Sequence, residues 1–205
     1  MTASPRRAPL RRMLLRAVSA AALFAVLAGC ESKPAFNAVD ITGASYAQDF
    51  ALTDAGGTRR TLADYRGKVV AVFFGYTQCP DVCPTTMADL AQVKSALGPA
   101  GDRLQVLFIT LDPERDTPQL LASYVPNFDR SFVGLWGTPE QIARTAKDFK
   151  VFYQKVPGES AGAYTLDHTA GTFVFDAAGR IRLFIKYGQP VPAMTADLGR
   201  LLAAG

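Results

Sequence analysis

The chain has 205 residues, which is enough for one well-buried domain with a short appendage. Its formal charge is +4, but five of its 22 basic residues lie before Ala17, namely Arg6, Arg7, Arg11, Arg12 and Arg16. Without these five, 17 basic side chains face 18 acidic ones, so the rest of the chain has no basic excess to attract nucleic acid.

The first 29 residues predict a signal peptide. An arginine-rich start is followed by thirteen residues, 17–29, which are apolar except for Ser19. As a helix this run would cover about 20 Å, which is short of the ~30 Å hydrocarbon core of a bilayer. The pattern therefore favours an export leader over a permanent transmembrane helix.

The end of this leader predicts a lipid anchor. Leu27-Ala28-Gly29-Cys30 resembles the lipobox of bacterial lipoproteins, where cleavage leaves the cysteine at the new N-terminus carrying lipid. We therefore expect a lipid on Cys30, which would anchor the protein in the cell membrane with its domain facing the periplasm or the cell exterior. The alternatives are an ordinary secretory leader with an incidental cysteine, or an uncleaved anchor.

Residues 31–44 show no sustained hydrophobic period. We interpret residues 30–44 as the lipidated N-terminus and a tether, and residues 45–205 as one folded domain.

Strands and helices are predicted to alternate within this domain. Strands are expected where β-branched and aromatic residues run together, at 46–53, 68–76, 104–111, 131–136, 172–176 and 180–186. Helices are expected at 85–97, 116–125, 138–149 and 192–203, with a helical turn at 61–65 and a loop at 158–164. The alternation predicts an α/β domain that begins with a right-handed βαβ unit. Its order resembles a thioredoxin-like fold, a central mixed sheet flanked by helices, here with an N-terminal strand and hairpin extension.

The cysteine pair in Cys79-Pro80-Asp81-Val82-Cys83-Pro84 lies between a buried strand and a helix start. Thiols four positions apart on a tight turn can reach disulfide distance, and the space outside the cytoplasm permits a disulfide. Because Cys83 lies near a helix N-terminus, we expect the amides and dipole there to favour its thiolate, which is a nucleophile and a soft metal ligand. A structural disulfide is the alternative, although so short a loop would add little stability.

His168 is the only histidine of the chain. It comes just before the strand at 172–176, which in a thioredoxin-like sheet runs antiparallel to the strand ending at Tyr76. The beginning of that strand therefore lies beside the cysteine turn, at the edge where ligands gather in such sheets. This position makes His168 a candidate ligand, although a lone histidine is more often an ordinary surface or core residue.

Three segments together resemble the Sco/SenC family of copper-binding proteins, in its bacterial lipoprotein form. They are residues 75–84 (GYTQCPDVCP), 111–118 (LDPERDTP) and 167–169 (DHT), and the similarity covers nearly all of residues 45–203. The resemblance implies a site for copper, as Cu(I) or Cu(II), formed by Cys79, Cys83 and His168. Two thiolates and an imidazole suit Cu(I), whereas zinc prefers four ligands.

The same resemblance implies a function. Family members assist assembly of the copper centre of cytochrome c oxidase, by copper delivery or by thiol reduction. The implied partners are the copper-bearing subunit of the oxidase, other copper carriers and thiol reductants. We expect a copper chaperone rather than an enzyme, with a Cys79–Cys83 disulfide in its oxidised form.

Three other functions compete with this interpretation. A thiol–disulfide oxidoreductase without metal would use Cys79 as nucleophile and Cys83 to resolve the mixed disulfide. Against it, the cysteine spacing is one residue longer than in the usual redox motif, and Gly171 stands where thioredoxins carry a cis proline. A peroxiredoxin would need one peroxide-reactive cysteine with an arginine and a threonine around it, and it is disfavoured because Thr85 and Thr86 lie after the cysteine motif rather than before it. A tethered interaction module with an inert disulfide is the third.

Two acidic residues are candidate supporting residues. Asp112 and Asp116 follow the strand at 104–111 and so reach the same sheet edge, where either could orient the site or meet a partner. For Asp116 we favour a simpler role as a helix cap, which Thr117 could also fill. Phe73, Phe74 and Tyr76 are expected in the core.

Overall fold

The computed structural model describes residues 35–160 and 162–205. Its strands are β1 (Val39–Asp40), β2 (Ala51–Asp54), β3 (Arg59–Thr61), β4 (Val69–Gly75), β5 (Leu104–Thr110), β6 (Val133–Trp136), β7 (Tyr153–Pro157), β8 (Tyr164–His168), β9 (Gly171–Phe175) and β10 (Ile181–Lys186). Its α-helices are α1 (Val82–Ala96), α2 (Pro118–Tyr124), α3 (Pro139–Asp148) and α4 (Val191–Ala203). Short 3-10 turns lie at Leu62–Tyr65, Gly98–Arg103 and Val125–Asn127. The leader and Cys30 lie outside the described residues.

Eight strands form one mixed sheet in the order β1-β10-β9-β4-β5-β6-β2-β3. The three strands β4, β5 and β6 are parallel, while every other neighbouring pair in the sheet is antiparallel. Every residue of β4 and β5 is buried, as the two continuous apolar runs predicted. The predicted central mixed sheet with flanking helices is confirmed, including the hairpin β2–β3.

β9 lies antiparallel to β4, with Phe73 paired to Thr172 and Val70 paired to Phe175. The beginning of β9 therefore meets the end of β4, which is the relation predicted for the segment before residue 172. The two segments that carry the candidate ligands approach the same edge of the sheet.

The hairpin of β7 and β8 was not predicted. It forms a separate two-stranded sheet in which Tyr153 pairs with His168 and Pro157 pairs with Tyr164. Only the turn between the two strands corresponds to the predicted loop at 158–164. The strand β7 was not recognised because its sequence, YQKVP, shows no alternation of apolar and polar residues, and none of its residues is fully buried.

The folded unit begins at Phe36, earlier than the predicted boundary at residue 45. Val39 and Asp40 pair with β10, and the amide of Ala38 donates to the buried carboxylate of Asp197 at 2.8 Å. The tether predicted over residues 31–44 is therefore wrong from Phe36 onward. A strand of two residues, held by a carboxylate far along the chain, leaves no hydrophobic period in the sequence.

Among residues 35–160 and 162–205, no helix combines the length and the apolar character that crossing a bilayer requires.

Candidate metal centre

The two cysteines lie where β4 turns into α1. Cys79 is half-buried in the connecting loop, whereas Cys83 is buried in the first turn of the helix, which begins three residues earlier than predicted. Both thiols are free, and the Cys83 amide donates to the Cys79 sulfur at 3.4 Å. The Cys79 sulfur thus accepts one of the helix amides that have no intrahelical partner.

The charge of the pair resides on Cys79. The hydrogen bond from the Cys83 thiol lowers the pKa of Cys79 to about 5; burial opposes this shift, and the Asp81 and Cys83 amides and His168 add to it. The same hydrogen bond and burial raise the pKa of Cys83 far above its ordinary value. The prediction that the helix N-terminus favours the Cys83 thiolate is therefore wrong, because burial and its neighbour's negative charge outweigh the helix dipole.

Gly75, the last residue of β4, makes room for Cys83. A Cβ atom built on Gly75 would lie 2.8 Å from the Cys83 sulfur and 3.0 Å from ring atoms of Phe73 and Phe108. Only a glycine lets this sulfur lie against the strand in that position. Sequence reasoning missed this role, although a glycine ending an apolar run was the available signal.

His168 ends β8 with its ring against the cysteine turn. Its Nε2 atom lies 3.6 Å from the Cys83 sulfur, and its Nδ1 atom lies 3.1 Å from the carbonyl oxygen of Thr169. Because a carbonyl oxygen can only accept, Nδ1 carries the proton in the neutral ring and the Nε2 lone pair faces the sulfurs. A backbone acceptor on the second nitrogen is the usual way in which a ligating histidine is oriented.

Aromatic rings fix the plane of this imidazole. The rings of Tyr76 and Phe73 meet it edge to face, with centroids 6.1 Å and 6.3 Å away. Both are buried, as predicted for Phe73, Phe74 and Tyr76. The ring of His168 is thereby held with its lone pair toward the two thiols.

The ligand atoms of Cys79, Cys83 and His168 all lie within 4.8 Å of one another. Metal–sulfur bonds of about 2.3 Å, the length typical of zinc thiolates, separate the ligands of a trigonal site by about 4 Å. The three atoms can therefore share one ion, and their softness suits Cu(I). In the described part of the chain, this is the one group of three or more Cys, His, Asp and Glu residues arranged to hold a metal.

Asp116 supports the cysteine loop and does not cap a helix. Thr117 caps α2 by accepting the Leu120 amide at 3.2 Å, so the capping role favoured for Asp116 is wrong. The carboxylate of Asp116 is fully buried and accepts from Thr77 and Thr110. A buried network of this kind produces no periodicity by which a sequence could reveal it.

Asp112 lies at the same edge but bonds away from the sulfurs. It is buried, and it accepts the Tyr164 hydroxyl at 2.8 Å and the Nε–H of Arg115. Arg115 lies in the segment 111–118 that carries the family resemblance, but no role was predicted for it or for Tyr164. Asp167, next to His168, is exposed, as expected for the neighbour of an inward-facing residue on an extended strand.

Two solved structures resemble this one at substantial identity. Bradyrhizobium japonicum ScoI with copper bound is 39% identical, with a TM-score of 0.68 over 75% of this chain and 97% of that one. The apo Sco1 protein from Thermus thermophilus is 38% identical, with a TM-score of 0.72 over 85% of this chain and 99% of that one. The thioredoxin-like fold expected from the sequence is the fold of these neighbours.

Comparisons of the sequence with known proteins agree with the comparison of structures. The mitochondrial SCO2 homolog of Bos taurus is 36% identical over 158 residues, which cover 76% of this chain and 59% of the bovine protein. This chain thus spans less than two thirds of that relative. The family model described as SCO1/SenC matches residues 39–203, and the chain therefore belongs to the SCO1/SenC family.

Proposed function

We propose that the protein binds one copper ion as Cu(I) through Cys79, Cys83 and His168, and carries it as cargo. The observation that carries the proposal is the convergence of two sulfurs and one imidazole nitrogen within 4.8 Å. Two thiolates and a nitrogen form a soft donor set, and Cu(II) would be the less favoured oxidation state. The copper-bound structure of Bradyrhizobium japonicum ScoI, 39% identical, supports the choice of copper.

The exposure of the ligands suits a site that releases its metal. Cys79 is half-buried at the surface, while Cys83 lies beneath it and is fully buried. An incoming ligand from a partner would reach the copper from the Cys79 side, so Cys79 would be exchanged first and Cys83 last. Copper binding by both sulfurs also displaces the proton that the buried Cys83 thiol retains.

The partner that the family resemblance implies is the copper-bearing subunit of cytochrome c oxidase, whose copper centre the protein would help to assemble. Other copper carriers and thiol reductants complete the partners that we propose. The near balance of 17 basic and 18 acidic side chains beyond the leader argues against nucleic acid.

A membrane tether is the second part of the proposal. A lipid on Cys30, after removal of residues 1–29, would hold the domain at the membrane on its periplasmic or exterior side. Because the folded unit begins at Phe36, the tether would be shorter than the predicted segment 31–44. Replacing Cys30 with Ala should move the protein from the membrane to the soluble fraction, and unchanged fractionation would contradict the lipid anchor.

A second candidate function, thiol–disulfide exchange without obligatory metal, is favoured by the charge on Cys79. The Cys79 thiolate would attack a disulfide of a partner, form a mixed disulfide and release one partner thiolate. Cys83 would then lose its proton and attack the Cys79 sulfur, releasing the second partner thiolate. The product would be the proposed Cys79–Cys83 disulfide, and two electrons would pass to the partner. That disulfide cannot bind Cu(I), so the protein would have to be reduced again before it could carry copper.

The experiment that separates the two functions is a competition for Cu(I) against a chromophoric chelator, run beside a thiol-exchange assay. His168→Ala should lose most of its Cu(I) retention and keep most of its exchange activity. Cys79→Ser and Cys83→Ser should lose both. Asp167→Ala is the matched control, since its exposed carboxylate is adjacent in sequence and points away. If His168→Ala abolished exchange and spared copper, the oxidoreductase would be the correct function.

A further inference from the structure

The hairpin of β7 and β8 carries His168, yet it is not part of the main sheet. An isolated two-stranded hairpin has little stability of its own, so its contacts with the rest of the domain must fix its position. At the His168 end, the Thr169 amide donates to the Phe152 carbonyl at 2.9 Å, which closes the hairpin on itself. His168 also packs against Tyr76 and Phe73, and a second set of contacts attaches the hairpin at its other end.

At that other end, Arg115 holds Tyr164, the first residue of β8. The Arg115 Nη1 donates to the Tyr164 carbonyl at 2.9 Å, and the guanidinium carbon lies 3.5 Å from the centroid of the Tyr164 ring. The Tyr164 hydroxyl donates to Asp112, which also accepts Nε–H from Arg115. Tyr164 is thus held at its carbonyl, its ring face and its hydroxyl by two side chains from one loop.

The same guanidinium reaches the cysteine turn. Its Nη1 also donates to the side-chain oxygen of Gln78 at 3.1 Å, and Gln78 immediately precedes Cys79. Arg115 therefore links the loop that carries Cys79 to the strand that carries His168. A planar guanidinium can make these bonds in different directions at once, which an ammonium group cannot reproduce.

The strand transmits this hold to His168. Tyr164, Leu166 and His168 face the domain, while Thr165 and Asp167 between them are exposed. Residues four apart on a strand lie on one face, about 13 Å apart, so fixing Tyr164 sets the rotation and the register of the face that ends in His168.

We propose that Arg115 is a positioning residue for copper, which sets the place of His168 relative to Cys79 through Tyr164 and Gln78. The inference rests on the proposed copper function and deepens it. Loss of groups that orient a metal ligand typically weakens metal affinity about 10- to 100-fold. Arg115→Lys keeps a positive charge beside the buried Asp112 and loses the guanidinium fork, so we expect Cu(I) affinity to fall roughly 10-fold.

The test is Cu(I) competition against a chromophoric chelator with the purified reduced protein, in a double-mutant cycle with His168→Ala. Arg115→Lys should weaken Cu(I) in the wild-type background, and the loss should be clearly smaller in the His168→Ala background, where only the Gln78 contact with the cysteine loop still acts. X-ray absorption of the bound copper should show the nitrogen neighbour weakened in Arg115→Lys. The control is Arg180→Lys, because Arg180 also bonds a buried aspartate, Asp176, but at the far end of β9.

The outcomes are separable. If wild-type protein does not retain Cu(I), the proposed function fails. If it does, and Arg115→Lys matches wild type or weakens copper equally in both backgrounds, the positioning role is wrong. Should Arg115→Lys fail to fold, Tyr164→Leu removes the ring that the guanidinium covers and the hydroxyl that Asp112 accepts, and the same cycle with this variant tests the route from Arg115 to His168. Arg180→Lys must leave Cu(I) affinity unchanged.

Discussion

The carboxylate of Asp116 binds Thr77 twice, at the backbone amide (3.0 Å) and at the hydroxyl (2.6 Å). It also accepts the hydroxyl of Thr110, the last residue of β5, at 2.6 Å. Because Thr77 lies two positions before Cys79, one buried carboxylate ties the start of the cysteine loop to the neighbouring strand. Burial raises the pKa of this carboxyl, while the hydrogen bonds from both threonines oppose the shift.

The first prediction concerns this carboxylate. Asp116→Ala leaves three donors without their acceptor, and each unsatisfied buried donor costs about 1–3 kcal/mol. We expect the free energy of unfolding to fall by about 3 kcal/mol in urea titrations. Thr117→Ala, one position along, removes only a helix cap and should cost about 1 kcal/mol. Equal losses in the two variants would show that the Asp116 network is not the stabilising element.

The second prediction concerns the space beside Cys83. Gly75→Ala places a methyl group 2.8 Å from the Cys83 sulfur, and overpacking of this kind typically costs about 1–3 kcal/mol. The sulfur must also shift, so Cu(I) affinity should fall together with stability. Thermal unfolding and chelator competition measure the two effects.

The matched control for Gly75→Ala is Gly199→Ala. In α4 the added methyl group meets only Leu97, at an ordinary 3.5 Å, and alanine is the better helix former by about 0.5–1 kcal/mol. We expect this variant to be slightly more stable and to bind copper like wild type. A harmless Gly75→Ala would mean that the sulfur has room to move.

The predictable part of the fold is the part buried on both faces. The strands β4 and β5 match their predicted ranges within one residue at each end. Long apolar runs rich in β-branched residues are typical of strands that are buried on both faces. The strands β1 and β7 were missed because pairing with distant residues, and not their own composition, makes them strands. Tertiary contacts decide such segments.

The residues of the candidate site also fall into a group that could be predicted from the sequence and a group that could not. Cys79, Cys83 and His168 could be found from residue type, local order and the family resemblance, and the structure brings them together. Arg115 and Asp116 act through hydrogen bonds to residues 37 to 49 positions away, which a single sequence does not encode as a pattern. The charge of the pair could not be assigned correctly because the hydrogen bond between the two thiols cannot be read from their spacing.

The third prediction is a pH profile of alkylation in the reduced, metal-free protein. Because the Cys79 pKa lies at about 5, its thiolate persists as pH falls from 9 toward 5, and its reaction with iodoacetamide should decline with a midpoint near pH 5. Cys83, whose pKa is raised, should remain unmodified at neutral pH. Mass spectrometry of peptides identifies the modified cysteine.

The variant that checks the cause of this shift is Cys83→Ala. It removes the thiol whose hydrogen bond is the largest influence on Cys79, so the midpoint should move up toward the ordinary value of 9.0. A wild-type midpoint near 9, or alkylation of Cys83 before Cys79, would contradict the assignment of the charge.

The last prediction concerns the N-terminal segment, whose attachment depends on Asp197. This carboxylate is fully buried, and it accepts the amides of Asn37 at 3.0 Å and of Ala38 at 2.8 Å. Asp197→Ala leaves these amides unpaired, so residues 36–44 should detach and become the first site of limited proteolysis. The strands β10 and β9 separate β1 from β4, so Cu(I) affinity should change little.

Asp54→Ala distinguishes detachment from a general loss of stability. Asp54 is also a mostly buried aspartate, but it holds the turn between β2 and β3 through the amides of Gly56 and Thr58. Compared at equal residual stability, Asp54→Ala should not expose residues 36–44 to protease, because the bonds of Asn37 and Ala38 remain. Early cleavage in both variants would mean that the segment detaches whenever the domain weakens, and that Asp197 is not its specific anchor.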